Sequence, residues 1–241
     1  MTKTISVENV CKSFGKKDIL KNINLATTNG TIFGFIGPSG AGKTTLVKMI
    51  VGMDTPNSGT IHVLQQKMPS REPLQRIGYM AQSDALYTEL TGKENLHFFA
   101  SLYKLNRSER KTRISYTADL VNLTKELNNK VSTYSGGMKR RLSLAIALIH
   151  DPDILILDEP TVGIDPELRL SIWNELIRLK IEDGKTIIVT THVMSEAEKC
   201  DNVAMIRNGR IITSGTPEEL KTFYNAVDLE DVFLKAGREL S

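Results

Sequence analysis

Eight residues, Gly37-Pro38-Ser39-Gly40-Ala41-Gly42-Lys43-Thr44, constrain this chain more than any other stretch. They fit the pattern G-x-x-x-x-G-K-[ST] in full. They follow a tight apolar run, residues 31–36, and open a run of helical spacing, residues 43–51, that stops at Gly52. A buried strand, a glycine-rich turn and a helix in that order wrap backbone N–H groups around an anion. The glycines keep side chains out of the way, and the helix points its positive end at the same place. The segment therefore reads as a phosphate loop. Gly37 to Gly42 cradle phosphates, Lys43 adds a point charge, the Thr44 hydroxyl can ligate Mg²⁺, and Thr45 follows in the first helical turn.

The remaining segments place that loop in an α/β domain. Residues 5–10 and 19–25 alternate polar and apolar side chains, so they read as half-buried antiparallel strands. Residues 60–64 and Ile77–Met80 read as short strands. Residues 154–157 and 186–190 read as buried ones, with a helix over Pro166–Asp183 between them. Residues 203–206 and 210–213 flank Asn208-Gly209, a hairpin signal. Residues 84–150 differ: Lys, Glu, Asn and Leu recur at helical spacing with no clear strand, which predicts an inserted helical lobe. Strands alternating with helices predict a parallel sheet.

A second chemical feature closes one of those strands. Asp158-Glu159 follows the apolar run 154–157, and in open α/β sheets ligands bind at the carboxyl ends of strands. Asp158 is placed to hold Mg²⁺ directly or through water. Glu159 is placed to orient and polarise an attacking water.

Composition narrows the partners. A net charge of +3 over 241 residues is too weak a bias to argue for nucleic acid. Two distant cysteines, Cys11 and Cys200, make neither a disulfide framework nor a zinc knuckle and suit a reducing cytosol as inert thiols. The opening residues lack the apolar stretch of a signal peptide, and no apolar run approaches the ~20 residues of a membrane span. If the protein works at a membrane, another chain must supply the membrane part.

Between the phosphate loop and the acidic pair stands Tyr134-Ser135-Gly136-Gly137-Met138. It resembles the signature motif of the ABC-transporter ATPases, usually written L-S-G-G-Q, and it occupies the same place in the order. Ser-Gly-Gly precedes a helix expected over residues 139–150, so its N–H groups and the serine hydroxyl form a second anion site. The resemblance implies a P-loop NTPase of ABC type with a RecA-like, mostly parallel sheet core, an N-terminal antiparallel β subdomain and an inserted α-helical subdomain. It implies a single domain over residues 1–241, with core about 1–83 and 151–241 and helical subdomain about 84–150.

It also implies roles. Ser135, Gly136 and Gly137 would close on the γ-phosphate of an ATP held by a second subunit in a head-to-tail dimer. Phe14 resembles the aromatic that stacks on adenine. Gln82 matches the glutamine that senses Mg²⁺ and contacts the membrane partner. Asp165, in Gly163-Ile164-Asp165, matches the loop that reaches across the dimer, and His192 matches the switch histidine. Lys43, Glu159 and His192 would then carry the hydrolysis, with Thr44, Gln82 and Asp158 around the metal.

The segments 134–142 and 229–234 look like those of ATPases paired with ABC-2-type exporter permeases, which would put the chain on the cytoplasmic face of a membrane. Tyr134 and Met138 depart from the usual leucine and glutamine, and Met138 removes an amide near the nucleotide. A soluble ABC-type ATPase of translation, DNA maintenance or cofactor assembly is the other reading, though the chain has one cassette and no long heptad insert. A nucleotide-binding regulator without turnover is a third, opposed by Glu159 and His192.

Other features read more plainly. Lys139-Arg140-Arg141 reads as a solvated helix face or a contact for an acidic partner. Trp173 reads as core. Tyr87, Leu90, Leu96, Phe98, Phe99 and Leu102 divide between lobe core and a groove for a permease helix.

Overall fold

Asparagines at positive φ interrupt the first two strands. Asn9 (φ 52°) and Asn22 (φ 55°) break the alternation, and the pairing register shifts between Val7 and Val10. The strands nevertheless run on to twelve residues each. This is why simple alternation finds only their first parts: each bulge changes which side chains face inward.

The computed structural model describes residues 3–83 and 85–238. Residue 84, where the helical stretch is expected to begin, and residues 1, 2 and 239–241 of the expected domain lie outside them. In chain order the elements are β1 (Lys3–Phe14), β2 (Lys17–Thr28), β3 (Ile32–Ile36), α1 (Lys43–Ile50), β4 (Ser58–Val63), β5 (Gln66–Lys67), α2 (Arg71–Leu74), β6 (Ile77–Met80), α3 (Gly92–Leu102), α4 (Arg107–Leu120), α5 (Gly136–Leu148), β7 (Ile154–Asp158), α6 (Pro166–Asp183), β8 (Thr186–Thr191), α7 (Met194–Ala197), β9 (Asn202–Arg207), β10 (Arg210–Gly215), α8 (Pro217–Phe223) and α9 (Leu229–Arg238). A 3₁₀ turn, Val131–Thr133, precedes α5.

The chain divides into two units, one within Met1–Leu74 and Thr186–Ser241, the other within Gln75–Lys185. In the first, an antiparallel sheet runs in the order β2-β1-β4-β5. Beside it run β10-β9-β3-β8, where β3 is parallel to both β8 and β9 and the β9–β10 hairpin is antiparallel. Asn208 (φ 51°) and Gly209 (φ 76°) turn that hairpin, as the dipeptide predicts. β3 and β8 are buried along their whole length, which suits parallel strands covered on both faces.

In the second unit β6 and β7 are parallel, with α3 to α6 around them. Trp173 of α6 is fully buried, and α5 lies directly on β6: a Cβ on Gly78 would meet the Ala147 carbonyl at 2.1 Å. Only glycine allows that approach. The helices start on built caps. Thr91 and Asn106 form capping boxes with Glu94 and Glu109, and Asp165 caps α6 ahead of Pro166. Such caps contribute about 1 kcal/mol each.

Candidate functional site

The first unit holds the phosphate loop rigidly. Gly42, at φ 108°, is the N-cap of α1, and a Cβ there would lie 2.5 Å from Leu20 Cδ2. A Cβ on Gly37 would lie 2.2 Å from the Ile206 carbonyl. The packing thus demands glycine at both ends of the loop. Gly40 (φ 80°) differs, since a Cβ there would meet nothing within 4 Å; its glycine serves the backbone turn and leaves the loop open outward.

Lys43 is buried, and its Nζ donates to the Gly37 carbonyl at 2.6 Å and the Pro38 carbonyl at 3.2 Å. The ammonium therefore sits inside the curl of its own loop. Thr44 and Thr45 are half-buried in the first turn of α1, while Pro38 and Ser39 are exposed and Ala41 is buried.

His192 enters the same region through strand register. β3 and β8 pair in parallel with Ile36 opposite Thr191, so Gly37 and His192 leave neighbouring strand ends. The turn carrying His192 is pinned: the Thr191 hydroxyl accepts from the Val193 N–H (3.0 Å) and donates to the buried Glu196 carboxylate (2.8 Å). Glu196 is a supporting residue that the motif pattern alone does not single out. Phe14, at the end of β1, is 55% exposed rather than core, and the Lys12 ammonium stands 4.9 Å from its ring centre. Lys12 also binds Asp54 at 2.6 Å, which holds the Asp54 carboxyl below its usual range.

The second unit repeats the strand-end arrangement. Met80 pairs with Leu157 in parallel register, so Gln82 and Glu159 leave neighbouring ends of β6 and β7. Asp158 is fully buried, and Glu159 adopts φ 54°. A left-handed conformation at a non-glycine residue costs roughly 1–2 kcal/mol. Near a functional site such a cost is tolerated where a side chain must be aimed.

Ser135 is the N-cap of α5, and its Oγ accepts from the Met138 N–H at 3.2 Å. Accepting there leaves the hydroxyl proton available to an outside anion. Ser135 and Gly136 are exposed, and a Cβ on Gly136 would meet nothing within 4 Å. Gly137 lies against the loop before α6, where a Cβ would be 3.0 Å from the Gly163 carbonyl. Asp165 spends one oxygen on the Leu168 N–H at 2.9 Å, capping α6.

The basic run on α5 corrects the reading of a solvated face. Arg140 is 7% exposed. Its Nη1 donates to the carbonyls of Ala81 (2.6 Å) and Gln82 (2.9 Å), and its Nη2 to those of Asp158 and Glu159 (2.8 Å for the latter). Hydrogen bonds from a charged donor contribute about 1.5–3 kcal/mol each. Arg141 is half-buried and donates to the Asn122 carbonyl at 2.9 Å. The missed signal was helical spacing: residue 140 lies four before Leu144 and seven before Ala147, both buried on the inner face of α5. Nearby, burial pushes Tyr79 up to about 12, with the Asp158 charge adding to the rise and Arg140 opposing it.

Among the described residues, no group of three His, Cys, Asp or Glu side chains could hold a metal alone. Within the second unit, the Asp158 carboxylate and the Gln82 amide are oxygen-bearing groups of the kind that Mg²⁺ takes alongside phosphate and water. Cys200 is buried, which pushes its thiol up to about 12. Of the aromatic-rich segment, Leu96 is core, whereas Tyr87, Phe98 and Leu102 are exposed, with the Tyr87 and Phe98 rings edge to face at 4.8 Å. No helix among the described residues is long and apolar enough to cross a membrane.

The fold and these strand-end sites define an α/β phosphate-loop protein. Residues 20–162 match the family described as ABC transporter, and the chain belongs to that family. The Nod factor export ATP-binding protein I of Rhizobium meliloti (strain 1021) is 44% identical over 222 residues, 91% of this chain and 66% of that protein. ABC transporter G family member 23 of Dictyostelium discoideum is 40% identical over 237 residues, 97% of this chain and 34% of that protein. The chain therefore spans only part of the curated relatives it matches. Among solved structures, a dimeric post-hydrolysis state of an ATP-binding cassette bound to ADP and Pi aligns with a TM-score of 0.81 at 28% identity, covering 88% of this chain and 98% of that one.

Proposed function

We propose that this chain is the ATP-binding and hydrolysing subunit of an exporter, acting through ATP-driven closure and reopening of a dimer. The observation that carries the reading is Glu159, held at positive φ directly after the fully buried Asp158 and beside the strand end that leads to Gln82. A strained carboxylate at the carboxyl end of a buried strand, in a chain with an intact phosphate loop, suits the polarising of water.

Each group has a role in this reading. Gly37 to Thr45 hold the phosphates, with Lys43 as the point charge. Thr44, Asp158 and Gln82 would hold Mg²⁺, which would neutralise developing charge on the phosphates. Glu159 orients the attacking water, and His192, steadied by Thr191 and Glu196, contacts the γ-phosphate. The exposed ring of Phe14 offers a face for adenine. Ser135 and Gly136, open to solvent at the start of α5, and the half-buried Gly137 beside them would meet the nucleotide of a second subunit placed head to tail, with Asp165 near that contact. The exposed Tyr87–Phe98 pair offers an apolar footing for a membrane permease, of ABC-2 type by the resemblance of segments 134–142 and 229–234, which would hold the chain at the cytoplasmic face of the membrane.

The test is Glu159→Gln. Steady phosphate release should fall by ~10³-fold, within the range of general-base contributions, while affinity for a fluorescent ATP analogue stays within a few fold. Turnover at the wild-type rate would overturn the assignment.

A further inference from the structure

We infer that Arg140 is a positioning residue that ties the anion site at Ser135 to Gln82 and Glu159 of the same chain, so that nucleotide engaged at one site tunes water activation at another. The inference rests on the proposed role of Ser135 toward a second subunit's ATP.

The geometry is direct. Arg140 lies five residues after Ser135 on one continuous helix, α5, whose first turn includes Gly136 and Gly137. Its guanidinium bridges two segments beyond the last paired residues, Met80 and Leu157: the chain after β6 (Ala81, Gln82) and the end of β7 (Asp158, Glu159). A guanidinium is planar and offers donors in a fixed fork, so it fixes the spacing of the segments it bridges. It reaches the main-chain carbonyls of the residues whose side chains are proposed to act, Gln82 and Glu159. The far end of α5 has no slack, because Ala147 rests against Gly78 of β6. Displacement of α5 at its Ser135 end therefore acts on the fork more than on the helix's seat. Gly137 against the Gly163 carbonyl brings the loop before Asp165 under the same helix end.

The experiment uses the full chain and ATP. Phosphate release is followed against ATP concentration for wild type, Arg140→Met, Arg140→Lys, Ser135→Ala and the Ser135→Ala/Arg140→Met double variant. Binding of a fluorescent ATP analogue and thermal unfolding are measured beside it.

Arg140→Met should lower kcat by ~30–100-fold, the scale of a ~1 Å misplacement of a reacting group, with analogue affinity within ~3-fold. Its Hill coefficient for ATP should fall toward 1. Arg140→Lys, which keeps the charge but cannot fork, should regain only a small part of kcat. The double variant should lose less than the product of the two single losses, because both lie on one route. A kcat for Arg140→Met within twofold of wild type would overturn the inference, as would independent, multiplicative effects. Should Arg140→Met fail to fold, Arg140→Lys is read by the same criteria. A wild-type chain that does not hydrolyse ATP would instead overturn the function proposed above.

Discussion

The two units reach similar strand-end arrangements by different means. Around the phosphate loop of the first, backbone meets backbone: Gly37 lies against the Ile206 carbonyl, and Gly209 lies so close to Ile19 that a Cβ would come within 2.3 Å of its carbonyl. In the second, a side chain does the holding, since the segments carrying Gln82 and Glu159 are joined through Arg140. Packing of main chain against main chain suits a ligand of fixed shape, such as a phosphate group. A side-chain fork permits small graded displacement, which suits groups whose placement should respond to a distant contact. The difference also predicts how each unit fails.

The largest effect is expected in the first unit. In Gly37→Ala the new methyl would stand 2.2 Å from a main-chain oxygen, and no flexible side chain can yield to it. Stability should drop by about 3 kcal/mol, the upper part of the range for overpacking, measured by urea unfolding. Affinity for the fluorescent ATP analogue should fall with it. By contrast, Arg140→Met should lower turnover and spare binding. If Gly37→Ala bound nucleotide normally, the contrast between a backbone-built and a side-chain-built unit would be broken.

What was legible in the sequence follows the same divide. The phosphate loop, the Asn208-Gly209 hairpin and the run ending at Asp158 each announce themselves through residue types that have few other uses. The α8 helix was also legible, because Thr216 and Glu219 form a capping box, but a reading driven by strands and motifs passes over it. The two-residue β5 and four-residue α7 are too short to carry a period. Arg140 was misread because three adjacent basic residues look like a surface. A helix turns about 100° per residue, so neighbours in such a run face different ways. Glu196 gave no signal beyond its charge; its role comes from Thr191, five residues earlier and opposite Ile36 in the sheet.

A second prediction separates the units by pH. His150 of the second unit stacks on Tyr103 with ring centres 3.5 Å apart, and its Nε2 lies 3.2 Å from the Ile77 carbonyl. Burial pulls it down from 6.5 to about 4. The folded state thus favours neutral imidazole, so its contribution is fully present above pH 6.5. It is lost as pH falls from there toward 4, where the unfolded chain binds the proton first. Up to about 3 kcal/mol should disappear over that window. His150→Phe, which keeps a ring beside Tyr103, should flatten the dependence. Amide hydrogen exchange at pH 5 should show β6 and α5 losing protection before β3 and β9. Equal loss in both units would erase the distinction.

The smallest effect bears on the cost of placing the reactive carboxylate. Where the phosphate loop needs positive φ it uses glycine, at Gly40 and Gly42, but the segment after β7 keeps glutamate at φ 54°. Replacing Glu159 by alanine removes the carboxylate and keeps the strain; replacing it by glycine removes both. Relief of the left-handed cost is worth roughly 1–2 kcal/mol, offset by about 0.5–1 kcal/mol for the greater freedom of an unfolded glycine. Glu159→Gly should therefore be more stable than Glu159→Ala by about 0.5–1 kcal/mol, with both inactive in phosphate release. The alanine variant is the proper reference, because comparison with wild type would mix strain with the loss of whatever the carboxylate touches. A glycine variant no more stable than the alanine one would mean that Glu159 sits at its angle without cost, and the case for a carboxylate held there by function would rest on Asp158 and the phosphate loop alone.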